Sequence, residues 1–462
     1  MLLKSVMITS IKQKLRDMVS DKKFSEILTG SAWALSGRLT ARGLGLITNV
    51  IVARLYGADV LGIMEVIGSF LVLATIFSVL GTNTSIMRLI PEHIARHSAA
   101  SAFSVYRKIQ YMVIAASLAI GVVLFFSAGL LADRVFSKPH LSFYFALAAV
   151  FVMFKSLLLL NTQAVRGLKL VRIFAVMQLL PQSFNIVLLV LLGTLSSARS
   201  IPVYALLGSF ALAGISGWII IEKTFKKIVR TSDPVKPMPA REILSISLPM
   251  FMTATINIIG AQTGVIMLGI FSTDSEVGLY SVAVKLATLT GFILAAINSI
   301  AAPKFSELFH SGKMDELFYV AKKSAKLIFW TSTPILIGLV MLGRPALSLL
   351  FGTEFEAAYP ALVFLVIGQF VNSISGCTGF FMNMTGRQRE SRNIILGTTV
   401  ITISLNIIFI PSYGINGAAF ACMVNECLWN IATLVFINKI HGQTTGYFPL
   451  LAKIQSLRLG RR

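Results

Sequence analysis

In the stretch SAWALSGRLTARGLGLITNVIVARLYG, residues 31–57, an apolar run long enough to cross a bilayer carries Arg38 and Arg42. A spacing of four puts both guanidinium groups on one face of a helix. An arginine near the bilayer centre costs about 2.5–3.5 kcal/mol on insertion scales, and such residues usually face a bundle interior or a wet cavity. The chemistry that two of them offer is anion capture, because each planar fork gives a phosphate two parallel hydrogen bonds. Lys155 in FVMFKSLLLL and Lys285 in SVAVKLATL are the other cations inside apolar runs. Each supplies a compact charge for a phosphate oxygen. Arg38, Arg42, Lys155 and Lys285 are therefore the candidate substrate-binding residues of one cationic cavity. The structural alternative has Arg38 and Arg42 snorkelling to the headgroups and Lys155 paired with a carboxylate.

Two carboxylates lie inside apolar runs, Glu65 and Glu426. Glu65 sits near one end of its run, where a salt bridge or interfacial solvation accounts for it. Glu426, in AFACMVNECLWNIATL, is deeper and is the better candidate for coupling to H+ or Na+. Asn257, Gln262 and Asn425 serve either as ligands to a substrate or ion or as interhelical polar contacts. No other cofactor is expected. Cys377, Cys422 and Cys427 lie in apolar segments without metal-ligand spacing and read as packing residues. There is no Walker A pattern, and the five histidines fall in loops or at helix ends, so no metal site, ATPase site or catalytic residue is expected. The aromatic residues, 32 of them Phe, read mostly as lipid-facing or packing bulk with Trp and Tyr as interface anchors, and the sequence singles out no carbohydrate platform.

The elements that hold these residues follow from composition. The 462 residues are 55% hydrophobic and only 13% charged, with a mean hydropathy of +0.80, which excludes an ordinary soluble domain and gives an all-α polytopic membrane protein. The 41 Lys+Arg against 19 Asp+Glu stand in short clusters between apolar runs, a topological pattern and not a nucleic-acid-binding face. Windows of about 20 apolar residues give twelve spans, near 30–53, 61–82, 110–131, 141–161, 172–194, 201–221, 243–270, 277–300, 326–350, 358–382, 393–411 and 415–438. With the N-terminus inside, the inner segments hold 32 basic residues and the outer ones 5, a bias that one missed or invented span would erase. The first 27 residues are basic and too interrupted for a signal peptide, so both termini are expected on the cytoplasmic side.

The longest polar interval, KTFKKIVRTSDPVKPMPAR at 223–241, falls near the middle and reads as a cytoplasmic linker. It separates a first six-helix bundle, 30–222, from a second, 242–438, with a cytoplasmic segment 1–29 before them and a basic tail 439–462 after them. Six spans per half give both bundles the same orientation around a central cavity. Two echoes support a duplication: SFNI at 183–186 with SLNI at 404–407, and VLGIMEV at 60–66 with EVGLYSV at 276–282. Pro181, Pro249 and Pro334 interrupt spans and kink them. Gly260 and Gly264 form a Gly-x-x-x-Gly that reads first as a close-packing surface.

Five local patterns, YGADVLGIMEV, SISLPMF, EVGLYSVAVKL, ALSLLFGTEFEAAYPAL and SLNIIFIPSYGINGAAFA, follow in order along most of the chain. Together they resemble the polysaccharide-exporter branch of the multidrug/oligosaccharidyl-lipid/polysaccharide exporter superfamily, the flippases for lipid-linked O-antigen and related repeat units. The resemblance implies a V-shaped pair of bundles, alternating access, and an undecaprenyl-pyrophosphate-linked oligosaccharide as substrate. It also implies a role in surface polysaccharide biosynthesis (lipopolysaccharide O-antigen, capsule or exopolysaccharide) at the cell inner membrane, among membrane lipids and other polysaccharide-assembly proteins. A cation-coupled multidrug exporter of the same fold would be expected to carry net acid in its cavity. A membrane glycosyltransferase or polymerase would need a large loop, and the longest outer connection is only about a dozen residues.

Overall fold

The computed structural model describes residues 22–229 and 234–448, with side chains from Trp33 onward. All regular elements among these residues are helical. That is what hydrocarbon allows a chain this apolar, because a helix satisfies its own backbone polar groups. In chain order the helices are α1 (Lys22–Val79), α2 (Thr82–Arg96), α3 (Ala99–Leu130), α4 (Ser142–Gly167), α5 (Val171–Leu195), α6 (Ile201–Ile228), α7 (Ala240–Phe271), α8 (Asp274–Ala287), α9 (Gly291–His310), α10 (Met314–Phe351), α11 (Tyr359–Ser375), α12 (Thr378–Met384) and α13 (Gln388–His441). Ten helical stretches among the described residues are long and apolar enough to cross a membrane.

Two of the ten, Trp33–Val79 and Gln388–His441, run to 47 and 54 residues, about twice the 20 or so that a bilayer needs. Each is broken once, at Gly57 (φ 83°, ψ 176°) and at Gly414 (φ 51°, ψ −129°). A side chain strains such backbone, so each break falls on glycine, and each glycine follows a tyrosine, Tyr56 or Tyr413. A third break, unforeseen in the hydropathy pattern, is the 3-10 turn Thr288–Thr290 between α8 and α9. Backbone irregularity at membrane depth is tolerated where it lines a cavity, and Thr288, Leu289 and Gly291 do so.

Packing divides the molecule along its length. At one end a single core draws on both halves, with Leu61, Ile67, Phe145 and Val203 from the first and Val277, Leu286, Phe351 and Leu362 from the second. Toward the other end there are two separate cores. One gathers Ile90, Tyr106, Val165 and Phe225, joined by the start of α7 through Ile243, and the other gathers Phe305, Phe318, Phe381 and Ile437. The halves thus share apolar burial at a closed end and part toward an open one.

The closed end is also pinned by polar contacts that cross between the halves. Arg54 donates to the carbonyl oxygens of Ser348 (3.3 Å), Leu350 (3.2 Å) and Leu349 in the last turn of α10, where a positive charge suits the helix C-terminus. Ala58 N–H, just past the Gly57 break, donates to Glu354 Oε1 at 3.0 Å, so the carboxylate caps the helix that restarts there. Asp274 takes Lys138 Nζ at 2.8 Å and His140 Nε2 at 2.7 Å. Between these groups α1 and α8 touch backbone to backbone. A Cβ on Gly62 would stand 3.0 Å from Gly278 N, and one on Gly278 would stand 3.2 Å from Gly62 N. Both glycines belong to the echoed VLGIMEV and EVGLYSV.

At the open end, residues 234–239 run without helix against the start of α3. Ser98 and Ser101 hydroxyls donate to Pro234 O (2.7 and 3.1 Å), and Lys108 Nζ donates to Met238 O at 2.9 Å. Nearby, Ser85 and Ser247 hydroxyls meet at 2.7 Å, joining α2 to α7.

Candidate functional site

Where the two cores part lies a cavity of about 1120 Å3 whose walls carry Arg38, Arg42, Arg166 and Lys285 with one carboxylate, Glu65. Position 45, three past Arg42 on α1, is Gly45, which with Ala34 and Ala41 keeps that wall low, so both arginines reach open space. Neither arginine makes an ion pair with a described residue. Arg42 lies over the Phe292 ring, 5.5 Å from its centroid, so a first-half cation rests on a second-half helix. Asn185 and Asn298, both buried on the cavity wall, each have a side-chain oxygen without a hydrogen-bond partner among the described residues. Such groups normally find a partner.

Of the four cations expected on one wall, the structure brings together Arg38, Arg42 and Lys285. Lys155 is the correction: its ammonium points into the first half, donating to Gly68 O at 3.4 Å and lying over the Phe210 ring at 4.4 Å. Phe210 itself is on the cavity wall, so Lys155 stands behind it. Arg166, counted as a loop residue by hydropathy, takes the fourth place, because α4 runs on to Gly167 and carries Arg166 into the cavity on its last turn. Its signal in the sequence was its sign and its short distance past an apolar run. Glu65 is ion-paired, as the salt-bridge reading had it, and its partner is Lys285 across the two halves.

Glu426 lies elsewhere, on the wall of a second cavity of about 620 Å3 within the second half, which shares Glu65, Lys285, Thr288 and Gln369 with the first and so adjoins it. Its walls are helix faces legible at spacings of three and four: Asn257, Gly260, Ala261 and Gly264 on α7, then Thr398, Thr399, Thr402 and Asn406, and Cys422, Asn425, Glu426 and Trp429, on the two limbs of α13. The Gly-x-x-x-Gly is close packing, with a Cβ on Gly260 3.1 Å from Thr399 Oγ1 and one on Gly264 overlapping the Tyr280 ring. Cys377 is buried in the apolar core of the second half and Cys422 lines the second cavity; with Cys427 these are free thiols. A third cavity of about 460 Å3 carries Arg389 and Arg392 and meets the second at Asn257, Ile395 and Trp429.

A family model described as "Polysaccharide biosynthesis protein" matches residues 27–309, more than half of the chain. The chain belongs to that family. It is the polysaccharide-exporter branch of the superfamily that the sequence motifs resemble. Among relatives, the chain is 26% identical over 157 residues to the probable low-salt glycan biosynthesis flippase Agl15 of Haloferax volcanii, covering 34% of this chain and 33% of that one. It is 22% identical over 266 residues to the succinoglycan biosynthesis transport protein ExoT of Rhizobium meliloti, covering 56% and 51%. The chain thus spans about half or less of the length of these relatives. Its fold is that of the Lipid II flippase MurJ in an inward closed conformation, with a TM-score of 0.71 at 16% identity over 87% of this chain and 86% of that one.

Proposed function

We propose that the protein is a flippase that carries a polyprenyl-pyrophosphate-linked oligosaccharide, with undecaprenyl as the expected carrier, across the cell inner membrane for surface polysaccharide assembly. The observation that carries this reading is the cavity between the halves, where four cations face one carboxylate. An anion of two phosphates suits that balance, and the arginine forks suit its oxygens. A cavity for cationic drugs would need the opposite sign, which counts against a multidrug exporter. Family membership and relatives named as flippases or transporters support transport of an intact lipid, with no catalytic step asked of the chain. Enzymes of the same assembly route would supply the lipid and consume it.

Alternating access is supported by the uneven sharing of cores: one end is sealed by a common core and crossing ion pairs, and the other is parted around the cavity. Split at Gly57 and Gly414, the ten stretches yield twelve crossings, six in each bundle. The open end is flanked by the basic segments 96–108, 223–229, 234–241 and 387–392, which the positive-inside rule assigns to the cytoplasm, with both termini. The cavity then loads from the cytoplasmic leaflet while the lipid tail stays in the bilayer, and rocking of the halves re-exposes it outside.

In proteoliposomes with a fluorescent lipid-pyrophosphate oligosaccharide, Arg38→Ala and Arg42→Ala are expected to lower transport by about 10- to 100-fold while the protein stays folded, each removing a charge-assisted contact of roughly 1.5–3 kcal/mol. Full transport by the double variant would return both arginines to the role of headgroup anchors and remove the cationic mechanism. Glu426, the deep carboxylate of the adjoining cavity, is assigned the coupling to H+ or Na+. Glu426→Gln should leave transport insensitive to an imposed gradient of the coupling ion, and a retained gradient response would sink that assignment.

A further inference from the structure

The second cavity has features that neither an anion nor a single coupling ion requires. Its 620 Å3 falls within the roughly 300–1,000 Å3 usual for small-molecule sites. Beside the charged Glu65, Lys285 and Glu426, its wall chemistry is hydroxyl and amide, from Thr398, Thr402, Asn406 and Asn425, with two aromatic rings, Tyr280 and Trp429. Asn406 is only 1% exposed, and its Oδ1, like that of Asn425, is buried without a hydrogen-bond partner among the described residues. A buried amide oxygen without a partner costs about 1–3 kcal/mol, so two on the wall of one cavity point to a donor-rich guest.

The duplication gives the same indication. Asn185 of SFNI and Asn406 of SLNI are the echoed asparagines of the two halves; both are buried, both have an Oδ1 unpartnered among the described residues, and Asn185 lines the cavity between the halves while Asn406 lines the second cavity. The echoed asparagines therefore face two adjoining cavities with different linings, mainly cationic around Asn185 and mainly hydroxyl and amide, with Glu426 and an indole, around Asn406. Trp429 follows Asn425 and Glu426 at i+4 and i+3, so it shares their helix face. It stands where the second and third cavities meet, and a Cβ on Gly379 would come within 3.2 Å of its Cζ2, so the backbone of α12 backs the ring edge.

We propose that the second cavity is the glycan subsite of the flippase, with Trp429 as the stacking platform and Asn406 and Asn425 as acceptors for sugar hydroxyls. A pyranose has an apolar C–H face that suits an indole and a rim of hydroxyl donors that suits unpartnered amide oxygens. This rests on the flippase reading: the pyrophosphate occupies the cationic cavity, the first sugars occupy the adjoining one, and a longer repeat continues past Trp429 into the third. The carrier's pyrophosphate is then recognised between the halves and the sugar by the second half.

The test compares, in nanodiscs, binding of a polyprenyl pyrophosphate without sugar and of the same lipid bearing the host's oligosaccharide repeat. Trp429→Ala is expected to weaken the glycan-bearing lipid about tenfold, the effect of truncating an aromatic anchor, and to leave the sugar-free lipid unchanged. Trp429→Phe should restore most of the difference. Asn425→Leu, which keeps the volume, should show the same selectivity even if Trp429→Ala proves unstable, whereas Arg38→Ala should weaken both lipids. Equal loss for both lipids in Asn425→Leu, or no loss for either in both variants, overturns the glycan subsite. Binding of neither lipid by the unaltered protein overturns the flippase reading and the subsite with it.

Discussion

Removing one partner of the Glu65–Lys285 pair leaves the other charge half-buried on a cavity wall. Side-chain exposures of 21% and 33% place the pair between a surface bridge and a buried one, so Glu65→Gln or Lys285→Met should destabilise the folded protein by about 1–3 kcal/mol. The charge-swapped pair, Glu65→Lys with Lys285→Glu, should recover most of the thermal stability in detergent. Failure of the swap to recover any would show that the pair does not hold the halves together. The pairing itself was not legible in the sequence, since its partners lie in different halves. Arg38 and Arg42 were legible because a four-residue spacing in an apolar run leaves few options for a guanidinium. Lys155 stands alone in its apolar run without such a spacing, and the rotation of its helix about its own axis turns it toward Phe210; rotation is set by packing that hydropathy does not encode.

At the scale of elements, the apolar runs gave the helices, and their ends gave the errors. Hydropathy closes the fourth span near residue 161, whereas α4 continues to Gly167, because helix propensity and packing outlast the apolar run. That difference of about a turn and a half moves Arg166 from a loop to the cavity wall. The breaks at Gly57 and Gly414 were visible only as the boundaries between adjacent spans, and their glycines are explained by backbone angles that composition cannot show. The turn at Thr288–Thr290 left no clear trace in hydropathy, since TLTG is neither polar enough for a loop nor proline-marked. It ends α8 three residues after Lys285 and so sets where that ammonium stands relative to Phe292, the ring beneath Arg42.

For the whole molecule, the closed end is where stability and transport compete. Asp274, 12% exposed and held by Lys138 and His140, bridges the halves there. Asp274→Asn is expected to take about 1–2 kcal/mol from the closed arrangement and so shift the ratio of closed to open forms by roughly 5- to 30-fold. With Cys377, Cys422 and Cys427 replaced, a Thr288→Cys reporter in the cavity should then react faster with an impermeant thiol reagent added from the closed side. Unchanged labelling would show that the ion cluster does not contribute to the seal. The glycine crossing beneath that cluster carries a different consequence. A side chain on Gly62 would fall on the Asp274 carbonyl and one on Gly278 on the Ala58 carbonyl, so the contact between α1 and α8 is reciprocal, as at a two-fold interface. Such a contact closes off the usual escape: a larger residue on one side is ordinarily tolerated when a neighbouring side chain shrinks, and here the obstacle is backbone carbonyl, which no substitution can make smaller.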